Sequence, residues 1–251
     1  MILTPQIKTQ YFYRGVFILK LLIIRHGDPD YALDSLTPKG FKEAELLAHR
    51  LSKLNINDFY CSPLGRAIAT AKPTLDLYEK DATILDWLQE FRGTIKSPYT
   101  EKERIMWDLP PHLWCNDERC YSIANWHDFE LISQGNSKAI YDETTLGIDS
   151  LLRHYDLERE KFCYKGNSEK CIALFCHFGL GILILSYLTN ISPMVALHNF
   201  FLAPTSVTSL VTETDSNGYS HFRAIGVGDI SHLYTSNEPM SESGLYPNFY
   251  K

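Results

Sequence analysis

The sequence predicts an α/β fold: a three-layer sandwich with a mainly parallel sheet, helices on both faces and an insertion capping the site at one sheet end. Three observations predict it. Short apolar runs at Leu21 to Ile24, Phe59 to Cys61 and Cys171 to Cys176 have the length and composition of buried strands. Each is followed by a helical pattern, and that alternation gives parallel sheets. The chain has 251 residues, with 45% hydrophobic and 22% charged, an ordinary globular mix that suits one core plus an insertion.

The elements follow in order. Residues 1–19 show no clear period and are read as an N-terminal extension. Over the first 20 residues Lys8, Arg14 and Lys20 occur without an acid, but the absence of serine argues against an organellar targeting segment. The domain proper runs over 20–251. Its first strand ends at Arg25-His26-Gly27. Thr37-Pro38 signals a helix start, with Thr as N-cap and Pro in the first turn. Phe41, Ala44, Leu47, Ala48, Leu51 and Leu54 then recur at spacings of three and four, an apolar face turned to a core. After Phe59 to Cys61, Ser62-Pro63 repeats the cap signal. Ala67, Ile68, Ala71 and Leu75 continue helically, and Pro73 is expected to kink or restart that helix. Residues from about 91 to 137 keep no period and concentrate Trp107, Trp114 and Trp126 among prolines and charges. This is the cap insertion, both an apolar minicore and a substrate lid. Leu146, Ile148, Leu151, Leu152 and Tyr155 mark a helix over Thr144 to Leu157. Cys171 to Cys176 is a buried strand, followed by His177 and an apolar helix from Gly179 to Leu188. Ser206 to Val211 and Phe222 to Val227 close the sheet.

Charge and cysteine usage bound the function. The 24 Lys+Arg against 30 Asp+Glu give a net charge of −6. Phosphate-backbone binding needs a basic excess or stripe, so nucleic acid is not an expected partner. Six cysteines are too sparse for a disulfide scaffold, which suggests a reducing, cytoplasmic setting. The longest apolar runs fall short of the roughly 18 residues that span a membrane, and the start lacks a signal-peptide pattern. No membrane partner is expected.

Ligands of open α/β sheets bind beyond the carboxyl ends of the strands. Here one strand end carries Arg25 and His26, a second leads through Ser62 to Arg66, and a third ends at His177. Two arginines and two histidines at one edge make an anion pocket. Arginine matches phosphate oxygens with a planar fork, and helix N-termini add backbone donors. A neutral histidine there is competent to attack phosphorus, and a second stabilises the transferring charge. Glu90, at the start of the insertion, suits protonation of the leaving oxygen if its pKa is raised. Asp28, directly after His26-Gly27, is the rival donor.

The segments "LLIIRHG", "SLTPKG", "FYCSPLGRAIATA", "LQEFRG" and "FCHFG", in that order, resemble the histidine phosphatase superfamily, which includes cofactor-dependent phosphoglycerate mutase. The resemblance covers residues 20 to about 235. It implies that His26 is the phosphate-accepting nucleophile, that Arg25, Arg66 and His177 bind the phosphoryl group, and that Glu90 is the general acid. It implies no metal and no organic cofactor. The Asn-rich, Trp-containing stretch and the Glu-Arg-His-Tyr-Gly segment of the mutases are absent. Hydrolysis of a phosphomonoester is therefore favoured over mutase transfer. A non-catalytic phosphate-binding or scaffold protein is the other alternative, and the complete set of five residue types argues against it.

Other readings stand beside these. Ser62 is either a phosphate ligand or a helix cap, and His177 is suited to capping as well as binding. Ser206 either lines the site or is strand-edge polarity. His112, Cys115, Cys120 and His127 form H-x2-C-x4-C-x6-H, a zinc-capable set whose spacing matches no standard finger. The expected partner is a phosphorylated small molecule with an organic leaving group. Its identity and the oligomeric state are not legible here.

Overall fold

A computed structural model describes residues 18–97, 99 and 103–245. The targeting alternative for the N-terminus falls on residues 1–17, outside these. Leu19 is fully buried, and its N–H donates to Thr212 Oγ1 at 2.9 Å.

Eight strands form one sheet: β1 (Lys20–Arg25), β2 (Asp58–Cys61), β3 (Thr83–Ile84), β4 (Glu158–Glu160), β5 (Cys163–Lys165), β6 (Cys171–Cys176), β7 (Val207–Thr214) and β8 (Tyr219–Asp229). The spatial order is β3-β2-β6-β1-β7-β8-β5-β4. β3, β2, β6 and β1 are mutually parallel, whereas β7 and β5 run against their neighbours. The sheet is therefore mainly parallel. In-register pairing of β1 with β6 sets Arg25 beside Cys176, so His26 and His177 leave adjacent strands at the same height.

β1 explains the three layers. Leu21 and Ile23 enter the core on one face, and Leu22 and Ile24 enter the core on the other. A strand covered on both faces has no solvent side to encode, so it reads as an unbroken apolar run. Truncating such a residue costs roughly 2–5 kcal/mol. Helices α1 (Pro38–Leu51) and α2 (Gly65–Tyr78) cover one face through Leu47, Leu51, Ala67 and Ala71. Helices α3 (Ser137–Arg153) and α4 (Phe178–Thr189) cover the other through Ile148, Leu152, Ile184 and Leu188.

The structure bears out the Thr37 cap, whose side chain accepts the Gly40 N–H, and departs from other details. Phe41, Ile68 and Leu146, expected to face the core, are exposed at 46%, 44% and 68%. Their neighbours at the same periodicity already fill the buried stripe. α2 runs unbroken through Pro73. α3 begins at Ser137, well before the expected Thr144, because Tyr141 and Thr144 also pack inward. The short strands β3, β4 and β5 and the helix α5 (Pro193–Asn199) carry too few residues for periodicity to show them.

The aromatic segment forms a small hairpin, Thr94–Lys96 with Glu103–Ile105, and single helical turns. Phe91, Ile95, Met106, Trp126 and Ile132 pack with Ile182 and Leu183 of α4 in a core of their own. α4 is thus apolar all round because it lies between the sheet and this layer.

Candidate active site

The site sits where β1 and β6 end. The "RHG" and "TPKG" segments meet there backbone to backbone: a Cβ on Gly27 would lie 2.8 Å from the Gly40 carbonyl oxygen, and one on Gly40 would lie 2.2 Å from that of Asp28. Only glycine permits that approach. It fixes the turn after His26 against the first turn of α1, and the Gly27 N–H donates to Thr70 Oγ1 at 2.9 Å.

The His26 ring is 2% exposed, and Nδ1–H donates to the Gly27 carbonyl at 2.8 Å. Burial, then the charge of Arg25, pushes its pKa down to about 3. The ring is therefore neutral at ordinary pH, with its proton on Nδ1 and the lone pair on Nε2. The His177 ring lies 5.2 Å from it, centroid to centroid. His177 Nε2 meets Ser62 Oγ at 2.7 Å, and burial together with His26, Arg66 and Arg25 lowers its pKa to about 2. His177 is the N-cap residue of α4 by backbone position, but its side chain makes no capping bond.

Arg25 is 2% exposed, donates from Nη1 to the Leu202 carbonyl at 2.7 Å, and lies over the rings of Phe178 and Phe201. Arg66 Nη1 donates to Asp34 Oδ1 at 2.6 Å, and its guanidinium covers Tyr31. Arg25 Nε, Arg66 Nε and His177 Nδ1 are buried without hydrogen-bond partners. Each such buried polar atom costs about 1–3 kcal/mol when left unpaired. Their chemistry, cationic or neutral N–H donors around a neutral imidazole, suits an anion rather than a metal.

Glu90 performs a task that its sequence context does not reveal. Its Oε1 accepts from the N–H groups of Phe91 (2.8 Å) and Leu180 (3.1 Å), and its Oε2 accepts from that of Phe178 (3.1 Å). The carboxyl thus caps α4 from 88 residues upstream. Burial raises its pKa, while these amides, Arg25 and Arg66 pull the other way. Asp34 acts similarly at α2, accepting from the Gly65 N–H at 2.7 Å. This corrects the expectation that helix N-termini offer donors to the ligand. Both relevant termini are occupied by carboxylates of the chain, so an anion must be held by side chains.

Asp28 is committed elsewhere. Its Oδ2 accepts from Thr37 Oγ1 (2.7 Å) and its Oδ1 from Ser241 Oγ (2.5 Å), which ties the C-terminal segment to α1. Glu238 pairs with Lys39 and Lys42 beside it. Gly244, at φ +77°, lies against the Arg25 guanidinium. Ser62 does not cap α2: Leu64 is the N-cap residue, and the Ser62 hydroxyl is spent on His177. Ser206 Oγ is buried and unpartnered beside the Arg25 backbone.

Sequence reasoning missed Asp34, Glu43 and Thr205. Asp34 lies in a polar loop with no distinguishing context. Glu43 is fully buried, receives the Asp28 N–H at 2.9 Å, and has its pKa pushed up to about 7 by burial. Its position four residues before Leu47, on the apolar stripe of α1, was an available signal. Thr205 holds φ +57°, costly for a β-branched residue, and donates its N–H to the His26 carbonyl at 3.2 Å. The zinc-capable set is not assembled. His112 bonds Tyr99, Cys115 is exposed, Cys120 is buried and His127 stands by Asp128. Among the described residues no three His, Cys, Asp or Glu side chains group as a metal site, and no helix is long and apolar enough to cross a membrane.

The family model of the histidine phosphatase superfamily (branch 1) matches residues 21–139, from β1 into α3, and so spans His26, Arg66 and Glu90. Over that span the chain is similar to the histidine phosphatase superfamily. A curated 2,3-bisphosphoglycerate-dependent phosphoglycerate mutase from Thermoplasma acidophilum is 36% identical over 70 residues, which cover 24% of this chain and 35% of the mutase. Among solved structures, a phosphoserine phosphatase from Entamoeba histolytica in complex with 3-phosphoglyceric acid aligns with TM-score 0.57 at 21% identity, over 86% of this chain and 99% of that one. The alpha-ribazole phosphatase from Shigella flexneri gives 0.53 at 18%, over 84% and 96%. A mycobacterial glucosyl-3-phosphoglycerate phosphatase gives 0.57 at 16%, over 84% and 99%. At these identities the likeness establishes the fold.

Proposed function

We propose that this chain is a histidine phosphatase, a phosphomonoester hydrolase working through a phosphohistidine at His26. One observation carries the reading: His26 donates Nδ1–H to its neighbour's carbonyl and keeps a neutral ring, so Nε2 holds a lone pair beside two arginines. In the first step Nε2 attacks phosphorus and the P–O bond of the ester breaks. The leaving oxygen takes a proton from the Glu90 carboxyl, which burial favours in its neutral form. Arg25, Arg66 and His177 hold the phosphoryl oxygens, and Ser62 acts on them through His177. In the second step water attacks phosphorus, Glu90 takes its proton back, and the N–P bond breaks to release phosphate and neutral His26. Both carboxyls accept hydrogen bonds on both oxygens, and Glu90 is preferred to Asp28 because burial raises its pKa toward the neutral form that can donate.

His26→Ala tests this directly. It should abolish turnover of p-nitrophenyl phosphate, and the wild type quenched during turnover should carry acid-labile, base-stable phosphate at His26. Retained turnover in the variant sinks the assignment. The mutase alternative is supported by the 70-residue match. It requires phosphoryl return to a second hydroxyl, so release of inorganic phosphate at the rate of ester consumption decides against it.

A further inference from the structure

Beside the phosphate site lies a cavity of about 760 Å³, a size typical of small-molecule sites. Its lining includes Phe178, Phe201 and Gly244, which lie against Arg25, one of the candidate phosphate ligands. The Trp107 and Phe178 rings meet edge to face at 5.5 Å, and Phe178 and Phe201 pack at 5.8 Å. Both phenylalanines flank the Arg25 guanidinium, at 5.3 and 5.9 Å from its carbon. Trp107 also approaches Glu90: a Cβ on Gly179 would lie 2.4 Å from the Trp107 ring and 3.1 Å from Glu90 Oε1. The aromatic wall therefore runs from the arginine that would hold the phosphoryl group to the carboxyl that would protonate the leaving oxygen. On the far side, Trp114 stacks on His198 at 4.4 Å.

Charge narrows the occupant. Among the described residues, the lining contains no lysine or arginine. Burial disfavours the charged form of His198, whose Nδ1–H donates to the Met194 carbonyl at 2.7 Å. A leaving group carrying its own carboxylate, as in a phosphoglycerate or a phosphoamino acid, finds no lysine or arginine in that lining to pair with. A flat, uncharged group meets aromatic faces.

We infer that the physiological substrate class is the phosphate monoester of an uncharged alcohol bearing an aromatic or comparably flat apolar group, seated between Trp107, Phe178 and Phe201. This rests on the hydrolase reading above and deepens it.

The test compares esters of primary alcohols, so that leaving-group chemistry stays similar: benzyl phosphate, ethyl phosphate and phosphoglycolate on the intact chain. Benzyl phosphate should exceed ethyl phosphate in kcat/KM by about tenfold or more, and phosphoglycolate should be the poorest. Trp107→Ala and, separately, Phe201→Leu should shrink the benzyl-to-ethyl ratio several-fold. Preference for phosphoglycolate, or a ratio near one in the wild type, overturns the inference while turnover itself upholds the hydrolase reading. If no ester is turned over, the hydrolase reading falls, and calorimetry with benzylphosphonate and phosphonoacetate decides the cavity assignment alone. Tighter benzylphosphonate binding supports it, and equal or reversed affinity overturns it.

Discussion

Ser62 Oγ lies 2.7 Å from His177 Nε2, and both residues are completely buried. The serine lies just past the end of β2 and the histidine just past β6, which pair in parallel, so two strand ends are joined by one side-chain contact. With the hydroxyl donating, the imidazole proton is placed on Nδ1, the nitrogen that has no partner in the protein.

That contact gives the first prediction. Ser62→Ala should lower kcat about tenfold with a smaller change in KM, since the ring loses its orienting bond while its donor remains. Ser62→Thr, which keeps the hydroxyl, should recover part of the loss. Steady-state kinetics on one alkyl phosphate suffice. An unchanged kcat in the alanine variant removes Ser62 from the positioning of His177.

Glu90 has two tasks, and one substitution separates them. Glu90→Gln cannot supply the proton, so turnover of alkyl phosphates should fall by about 10²–10⁴-fold. p-Nitrophenyl phosphate, whose leaving group needs no proton, should fall far less. Loss of helix capping alone would depress both substrates equally, which makes the ratio of the two losses the decisive readout.

The buried histidines predict an acid-labile fold. His26 and His177 have pKa values lowered to about 3 and about 2, whereas the unfolded chain protonates them near the ordinary histidine value of 6.5. As pH falls below 6.5 the unfolded state binds more protons, and stability is lost by about 1.4 kcal/mol per histidine per pH unit. Glu43 opposes this. Raised from 4.5 to about 7, it is protonated first in the folded state and gains stability as pH falls through that interval. Glu90, raised by burial, acts in the same sense as Glu43, whereas His198 and His232, lowered by burial, side with His26 and His177. Four groups against two leave a net loss between pH 6.5 and 4.5. Tm should fall across that window, and Glu43→Gln should steepen the fall. A wild-type Tm that holds or rises on acidification contradicts the assigned burial.

Gly179 gives a steric prediction. Gly179→Ala places a methyl within 2.4 Å of Trp107 and 3.1 Å of Glu90 Oε1. The indole must shift, at about 1–3 kcal/mol of stability. kcat/KM for a bulky ester should fall more than for ethyl phosphate. Equal losses on the two esters count against Trp107 as part of the leaving-group wall.

Much of the site was legible because its parts are local in the chain. An apolar run ending in Arg25-His26-Gly27, or in His177, announces both a buried strand and the polar residues at its end. Thr37-Pro38 announces α1. Glu90 was legible as a candidate acid but not as the cap of α4, since its partners Phe178 and Leu180 are 88 and 90 positions away. Asp34 on Arg66 and Ser241 on Asp28 are contacts of the same kind, at separations of 32 and 213.

By itself, then, the sequence determined the alternation of strands and helices, the family resemblance, and the residue types gathered at the strand ends. These follow from hydrophobic periodicity and backbone chemistry within a few residues. Only the tertiary structure decided which partners the Glu90 and Asp28 carboxylates take, which helix ends are occupied, and where the aromatic wall stands relative to Arg25. Those outcomes depend on burial and on partners distant in the chain, because desolvation and hydrogen bonding are set by the packed environment rather than by neighbours in sequence.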